Sequence, residues 1–243
     1  MSLMGQIRIW KPLQIAKSLQ ISTSALRHYE SWGIVPPPER SPSGYRLYTD
    51  EHYAYFACIR AMYPGYGMDT VRQAMSLIIQ KRMHEAMWLI NKCQAALHED
   101  KVIAERTIEL LEKEDLSEAD RRGGRGKMTI SEASELTGVP STAIRHWEKE
   151  GLLEIPRGED NGYRCMTGIH VRQISIIRTL RAANHPLDVI REVMVQLNHN
   201  HIGNALRIAR EASDYLDHRL RNQVKGAHYF YRLCLATGLM DEG

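Results

Sequence analysis

"SALRHYESWGIVPPPERSPSGYRLY", residues 24–48, and "TAIRHWEKEGLLEIPRGEDNGYRCM", residues 142–166, are two versions of one pattern in a chain of 243 residues. Arg27 and Arg145 lie 118 positions apart, as do Tyr45 and Tyr163, so nothing is inserted or deleted between the paired motifs. Upstream, "IAKSLQIS" from Ile15 falls over "ASELTGVP" from Ala133 at the same offset. Downstream, "MDTVRQAM" from Met68 matches "LDVIREVM" from Leu187 at an offset of 119, with the extra residue near His185-Pro186. The chain carries an internal duplication.

Each copy has the punctuation of helix, short turn, helix. Ser22 suits the N-cap of a helix that runs to about Trp32, where Gly33 can take the left-handed conformation that ends it. Pro140, Ser141, Thr142 and Gly151 punctuate the second copy in the same way. Two short helices joined by about three residues, the second opening on Ser or Thr, are the elements of a helix-turn-helix. "PPPERSPSGYRLY" and "EIPRGEDNGYRCM" hold too much Pro and Gly for a helix, and each reads as a small β-hairpin, a wing beside the second helix.

Behind each block lies a long helix of heptad character. Ile79, Met83, Ala86, Ile90, Cys93, Leu97, Ala104 and Leu111 follow alternating steps of four and three, interrupted by Asp100 and Thr107. Ile202, Leu206, Ala209, Ser213, Leu216, Leu220, Ala227 and Phe230 read likewise, interrupted by Gln223. A helix of about 32 residues extends roughly 48 Å, more than a compact domain needs, so the stripes predict an antiparallel coiled coil, with ordinary globular core as the competing explanation. The expected fold is mainly α: a winged helix-turn-helix domain over 5–76, a long helix over 77–111, a charged linker over 112–127 containing Gly123, Gly124 and Gly126, a second winged helix-turn-helix domain over 128–197, and a second long helix with its tail over 198–243.

Composition narrows the function. With 32 basic and 29 acidic residues the net charge is +3, so a nucleic-acid surface has to be a local patch. Cys58, Cys93, Cys165 and Cys234 are far apart, without a CxxC pair, and read as reduced thiols in or near the core. Met62, Met68, Met75, Met83 and Met87 read as core filling. The "NHNH" run over 198–201 reads as a polar loop or helix start, because alternate residues on a helix point apart and cannot share a metal. No run approaches about 18 apolar residues and the amino terminus lacks a signal-peptide pattern, so a cytoplasmic protein without membrane contact is expected. No Ser-His-Asp set, metal-ligand cluster or phosphate-binding glycine loop stands at a usable spacing, so neither an enzyme nor a cofactor is expected.

The order of these elements resembles the MerR family of transcriptional regulators: helix-turn-helix, "LRHYE" with Gly33 three residues later, "GYRLY", then further helices ending in a long one. The second copy repeats it with "IRHWE" and "GYRCM", so the resemblance covers nearly the whole chain. It implies a winged helix-turn-helix that binds double-stranded promoter DNA as a dimer through an antiparallel coiled coil, distorts the DNA between promoter elements, and works with RNA polymerase. Ser22, Thr23 and Ser24 sit where a helix amino terminus offers N–H groups to phosphate and base edges. Arg27 can reach a phosphate or a guanine, His28 and Tyr29 add donors, Arg46 reads as a phosphate clamp and Tyr45 as a buttress of the hairpin or a hydroxyl donor. Glu30 is expected to orient Arg27 or Arg46. Ser141, Thr142, Arg145, His146, Tyr163 and Arg164 carry these roles into the second copy, while Tyr29 and Trp147 equally suit packing of the helix against the wing.

The copies differ where DNA would be touched. Met166 replaces Tyr48, and Glu154, Glu159 and Asp160 against Arg157 and Arg164 make the second wing acidic, whereas Glu39 against Arg40 and Arg46 leaves the first basic. The second copy is expected to bind DNA more weakly or with different selectivity. Two units in one chain predict an intramolecular pseudo-dimer; a dimer of chains with four units is the alternative assembly, and a winged-helix adaptor that docks a protein is the alternative class. A small-molecule effector is expected at the junctions near Trp88 or Tyr229, or not at all. Cys93 and Cys234 stand singly and do not reproduce the cysteine pattern of the family's metal sensors.

Overall fold

The computed structural model describes residues 8–112, 128–158, 162–198 and 202–241. The first copy contains α1 (Pro12–Leu19), α2 (Thr23–Ser31), the hairpin β1 (Glu39–Arg40) and β2 (Arg46–Leu47), and α3 (Asp50–Ile79), followed by α4 (Met83–Glu112). The second contains α5 (Ile130–Thr137), α6 (Ser141–Lys149), α7 (Gly168–Ala182) and α8 (Leu187–Asn198), followed by α9 (Ile202–Ala236). The fold is mainly helical, with a small two-stranded antiparallel sheet in which Arg40 pairs with Arg46. The expected linker beyond Glu112, the acidic pair Glu159 and Asp160, and the "NHNH" run beyond Asn198 lie outside the described residues.

Local chemistry explains the punctuation. The Ser22 hydroxyl accepts a hydrogen bond from the Ala25 N–H at 3.0 Å, capping α2. In the second copy Pro140 takes the N-cap position without a side-chain cap, and Ser141 is already the first helical residue. Gly33 and Gly151, at φ of 66° and 71°, end the two second helices. α3 is interrupted at Gly67, where φ is 75° and ψ 160°, three residues after Pro64 removes a backbone donor. The second copy divides the corresponding stretch into α7 and α8, with Asn184 left-handed at φ of 61°.

Two compact units result: residues 1–96 with 218–243, and residues 97–217. Each holds one helix-turn-helix and a piece of both long helices. In the first unit, Ile15, Leu26, Tyr48, Phe56 and Met62 share a core with Ala86 and Ile90 of α4 and with Phe230, Leu233 and Cys234 of α9. Met75 is buried there, and Met68, Met83 and Met87 pack against it, as core methionines do. In the second unit, Ala133, Ile144, Trp147, Met166 and Ile174 share a core with Leu111 of α4 and with Ala205, Ile208, Ala209 and Ala212 of α9. There Lys101 pairs with Asp217 at 2.8 Å and Glu112 with Arg210 at 2.7 Å, so partners descend α9 as they ascend α4. The four cysteines are free thiols, and burial pushes Cys234 up to about 11 and Cys58 further, which keeps both protonated and unreactive at neutral pH.

Two readings of the long helices change. The first long helix begins at Met83, not at 77: α3 runs to Ile79, Lys81 is left-handed at φ of 60°, and Ile79 is exposed at the end of the preceding helix. The stripe on α9 holds at Ala209, Ser213, Leu216 and Phe230 and fails at Leu220, which is exposed. Its buried positions are Ala205, Ile208, Ala209, Ala212, Ser213, Leu216, Gln223, Gly226, Phe230, Leu233 and Cys234. Close approach is the reason. A Cβ on Gly226 would lie 2.9 Å from the Tyr66 ring and 3.0 Å from the Met62 Cα, and one on Gly65 would lie 2.6 Å from the Gln223 nitrogen. Helices this close need small residues at the contact, and a pattern ranked by hydrophobicity selects the leucines on the neighbouring stripe instead.

The polar interruptions have partners. Gln223 Nε2 and Arg219 Nε donate to the Gly65 carbonyl at 3.2 and 3.3 Å, beside the break at Gly67, and the Tyr66 hydroxyl donates to the Gln223 carbonyl at 3.0 Å. In the second unit Thr107 donates to the Ile103 carbonyl at 2.7 Å, and Asp100 accepts from Arg178 at 3.3 Å. None of the described helices is long and apolar enough to cross a membrane.

Candidate nucleic-acid interface

Helix α2 presents Ser24, Arg27 and His28 to solvent, with Thr23 half-buried. Ser22 is exposed but commits its hydroxyl to the cap. Tyr29 faces the opposite way: its ring packs at 5.8 Å from Trp32 and 6.3 Å from Phe56, and burial raises its pKa. Of the two roles open to Tyr29, the structure favours packing. The equivalent Trp147 is 8% exposed and belongs to the second core. On α6, Thr142, Arg145 and His146 are exposed and Ser141 is half-buried.

The hairpin is fastened to α2 through Glu30. Arg46 Nε donates to Glu30 Oε2 at 2.8 Å, and the Tyr48 hydroxyl donates to Oε1 of the same carboxylate. Tyr48 is fully buried, and its pKa is raised first by burial and then by that hydrogen bond. The expected phosphate clamp therefore carries a structural tie: Arg46 is bound through Nε, and its terminal amino groups are unengaged among the described residues. Arg40 Nη1 donates to the Gly44 carbonyl at 3.1 Å and braces the turn, from which Tyr45 projects 74% exposed.

In the second copy Arg164 grips Glu148, with Nε at 2.8 Å and Nη2 at 2.6 Å from the same Oε2. Met166 fills the position of Tyr48, fully buried, and supplies no hydroxyl. Arg157 bridges to Arg164, whereas the first hairpin pairs Arg40 with Arg46, so the register differs by one residue although the sequences align without a gap. Arg157 Nη1 reaches the Gly162 carbonyl at 3.4 Å, and Tyr163 is as exposed as Tyr45.

Sequence reasoning missed a paired feature behind each hairpin. His52 Nδ1 accepts from the Thr49 N–H at 3.1 Å, and His170 Nδ1 from the Thr167 N–H at 3.0 Å, forming capping boxes that start α3 and α7. The signal was present: "TDEH" and "TGIH" stand at the same offset of 118. His170 Nε2 lies 3.1 Å from the Glu154 carbonyl, while His52 Nε2 is buried without a hydrogen bond among the described residues. Burial lowers the pKa of both imidazoles.

Both segments match known families. A family described as "MerR HTH family regulatory protein" matches residues 128–197, and one described as "MerR family regulatory protein" matches residues 11–48. Residues 11–48 and 128–197 are therefore each similar to MerR-family regulatory proteins. Similar curated proteins include the HTH-type transcriptional regulator CueR of Yersinia pestis, 38% identical over 73 residues, which are 30% of this chain and 52% of that one. The CueR of Escherichia coli O157:H7 is 34% identical over 71 residues, 29% of this chain and 53% of that one. The HTH-type transcriptional regulator HmrR of Rhizobium leguminosarum bv. viciae is 34% identical over 67 residues, 28% and 51% of the two chains. The chain spans about half the length of these relatives. No solved structure matches.

Proposed function

We propose that this protein is a sequence-specific transcription regulator that presents two winged helix-turn-helix units to an imperfect inverted repeat in promoter DNA, as an intramolecular pseudo-dimer. The observation that carries this reading is the composition of the two cores: each helix-turn-helix is completed by residues from both α4 and α9 of the same chain. The descending ion pairs between α4 and α9 in the second unit support an antiparallel seam. Ser24, Arg27, His28 and Tyr45, with Thr142, Arg145, His146 and Tyr163, are the exposed groups that would meet DNA, and the terminal amino groups of Arg46 would reach a phosphate from the wing. Two such helices enter successive major grooves when set roughly 34 Å apart. A fused pair can read unequal half-sites, which a symmetric dimer cannot prefer.

The test is selection of bound genomic fragments by the purified chain, followed by light-scattering mass with and without the selected duplex. One chain per duplex and an asymmetric site are expected. A stable two-chain species on an extended site points to the dimer with four units, and a protein complex indifferent to Arg27→Glu with Arg46→Glu points to the adaptor.

A further inference from the structure

We propose that the first unit also contains a binding site for a small planar aromatic anion, in a trough where α1 and α3 meet the end of α9. Two adjoining clefts form it. One, of about 420 Å³, is lined by Trp10, Asp50, Tyr53, Tyr229 and Arg232. The other, of about 380 Å³, is lined by Ser18, Arg60, Lys225 and again Tyr229. Each is of the size that holds a small ligand.

Alanine makes the space. Ala54 and Ala57 of α3 and Ala236 of α9 line the first cleft, and Ala57 and Ala61 the second, so side chains withdraw where the helices converge. The walls are aromatic and already fixed. Trp10 and Tyr53 stack with centroids 4.8 Å apart and planes 17° from parallel. Trp10 Nε1 donates to Asp50 Oδ1 at 2.7 Å, and the Tyr53 hydroxyl lies 2.9 Å from Ser18 Oγ. Rings held before the ligand arrives lose little freedom when it binds.

Charge selects the sign of the ligand. Arg60, Lys225 and Arg232 border the trough and make no ion pair with a described residue, while Asp50 has one oxygen engaged by Trp10. Three cations against one partly occupied carboxylate favour an anion such as an aromatic carboxylate. Packing alone does not require these side chains, because the second copy has Met128, Val171 and Leu110 where the first unit has Trp10, Tyr53 and Tyr229. The trough joins the end of α9 to α1 and α3 of the first helix-turn-helix, so occupancy would couple to DNA affinity. That coupling rests on the DNA-binding reading, and binding of the ligand does not.

The experiment is calorimetric titration of the full chain with 1-naphthoate, beside 1-naphthylmethylamine as the cationic and cyclohexanecarboxylate as the non-aromatic control. A one-to-one complex with Kd below about 1 mM is expected for naphthoate only. Arg232→Glu, at an exposed position, and Tyr229→Ala should each weaken it at least tenfold, and Leu110→Ala, the counterpart in the second unit, should leave it unchanged. Preference for the amine, absence of naphthoate binding, or undiminished affinity in folded Arg232→Glu overturns the proposal. Titrating the naphthoate complex with selected DNA then reads the coupling: if ligand affinity holds and DNA affinity does not move, the site stands and its link to regulation falls.

Discussion

The two helix-to-hairpin ties are built on the same ion pair and are completed differently. Glu30 receives Arg46 on one oxygen and Tyr48 on the other, whereas Glu148 receives Arg164 on a single oxygen and has Met166 where the tyrosine would be. Both carboxylates are largely shielded, at 13% and 19% exposure, so removing either arginine would strand a charge. Duplication has kept the pair whose loss is costly and varied the neutral partner.

The largest effect should come from charge reversal on the reading helix. Arg27→Glu is expected to weaken DNA binding by two orders of magnitude or more and to flatten its salt dependence, because a phosphate or guanine contact becomes a repulsion. Arg145→Glu should cost clearly less if the second unit is the weaker reader. Equilibrium binding across a salt series checks both, and equal losses would erase the functional difference between the copies.

Next comes the contact between α3 and α9 in the first unit. Gly226→Leu should destabilise that unit by about 1–3 kcal/mol or more, since its first added carbon already meets Tyr66 and Met62. Gly203→Ala, where a Cβ meets nothing within 4 Å, should be neutral or stabilising by about 0.5–1 kcal/mol. Urea denaturation separates them.

An effect of similar size sharpens the comparison of the ties. Tyr48→Phe removes a hydrogen bond to a carboxylate and should cost about 1.5–3 kcal/mol, with a loss of DNA affinity as the first hairpin loosens. Met166→Leu conserves volume and breaks no such bond, so it should cost less than about 1.5 kcal/mol.

What could be read from sequence follows from what repeats. Constant offsets exposed the duplication, the helix-turn-helix punctuation and the shared Arg-Glu ties' residues, because backbone geometry and capping leave local signatures at Ser22, Gly33 and Gly151. The α9 stripe was right at Ala209, Ser213, Leu216 and Phe230 but took Leu220 and missed Ala205, Ala212 and Gly226, small residues chosen by helix proximity, which no local hydrophobicity reports. Yet the offset held the answer: adding 119 to Ala86, Ile90, Leu97, Ala104 and Leu111 gives Ala205, Ala209, Leu216, Gln223 and Phe230, the buried positions observed. Glu30 was legible as the partner of Arg27 or Arg46, and folding, which brings the hairpin onto α2, selects Arg46.

The smallest effect lies in the capping histidines. Both imidazoles are neutral acceptors at Nδ1, and protonation would remove the acceptor that holds Thr49 or Thr167. Burial sets their folded pKa below the ordinary value of about 6.5, so between the two values the unfolded chain binds more protons. Stability is then full above about pH 6.5 and falls as pH drops through that range. The charges of Glu51 and Glu30 and the carbonyls of Pro36 and Pro37 partly offset the burial of His52, as the Glu154 carbonyl does that of His170, so acid should loosen both units over this range. Gln is itself a capping-box residue at this position and does not titrate. His52→Gln and His170→Gln should therefore each reduce the fall in Tm between pH 7.5 and pH 5.5; a fall unchanged by either would mean that the imidazoles do not carry the acid response.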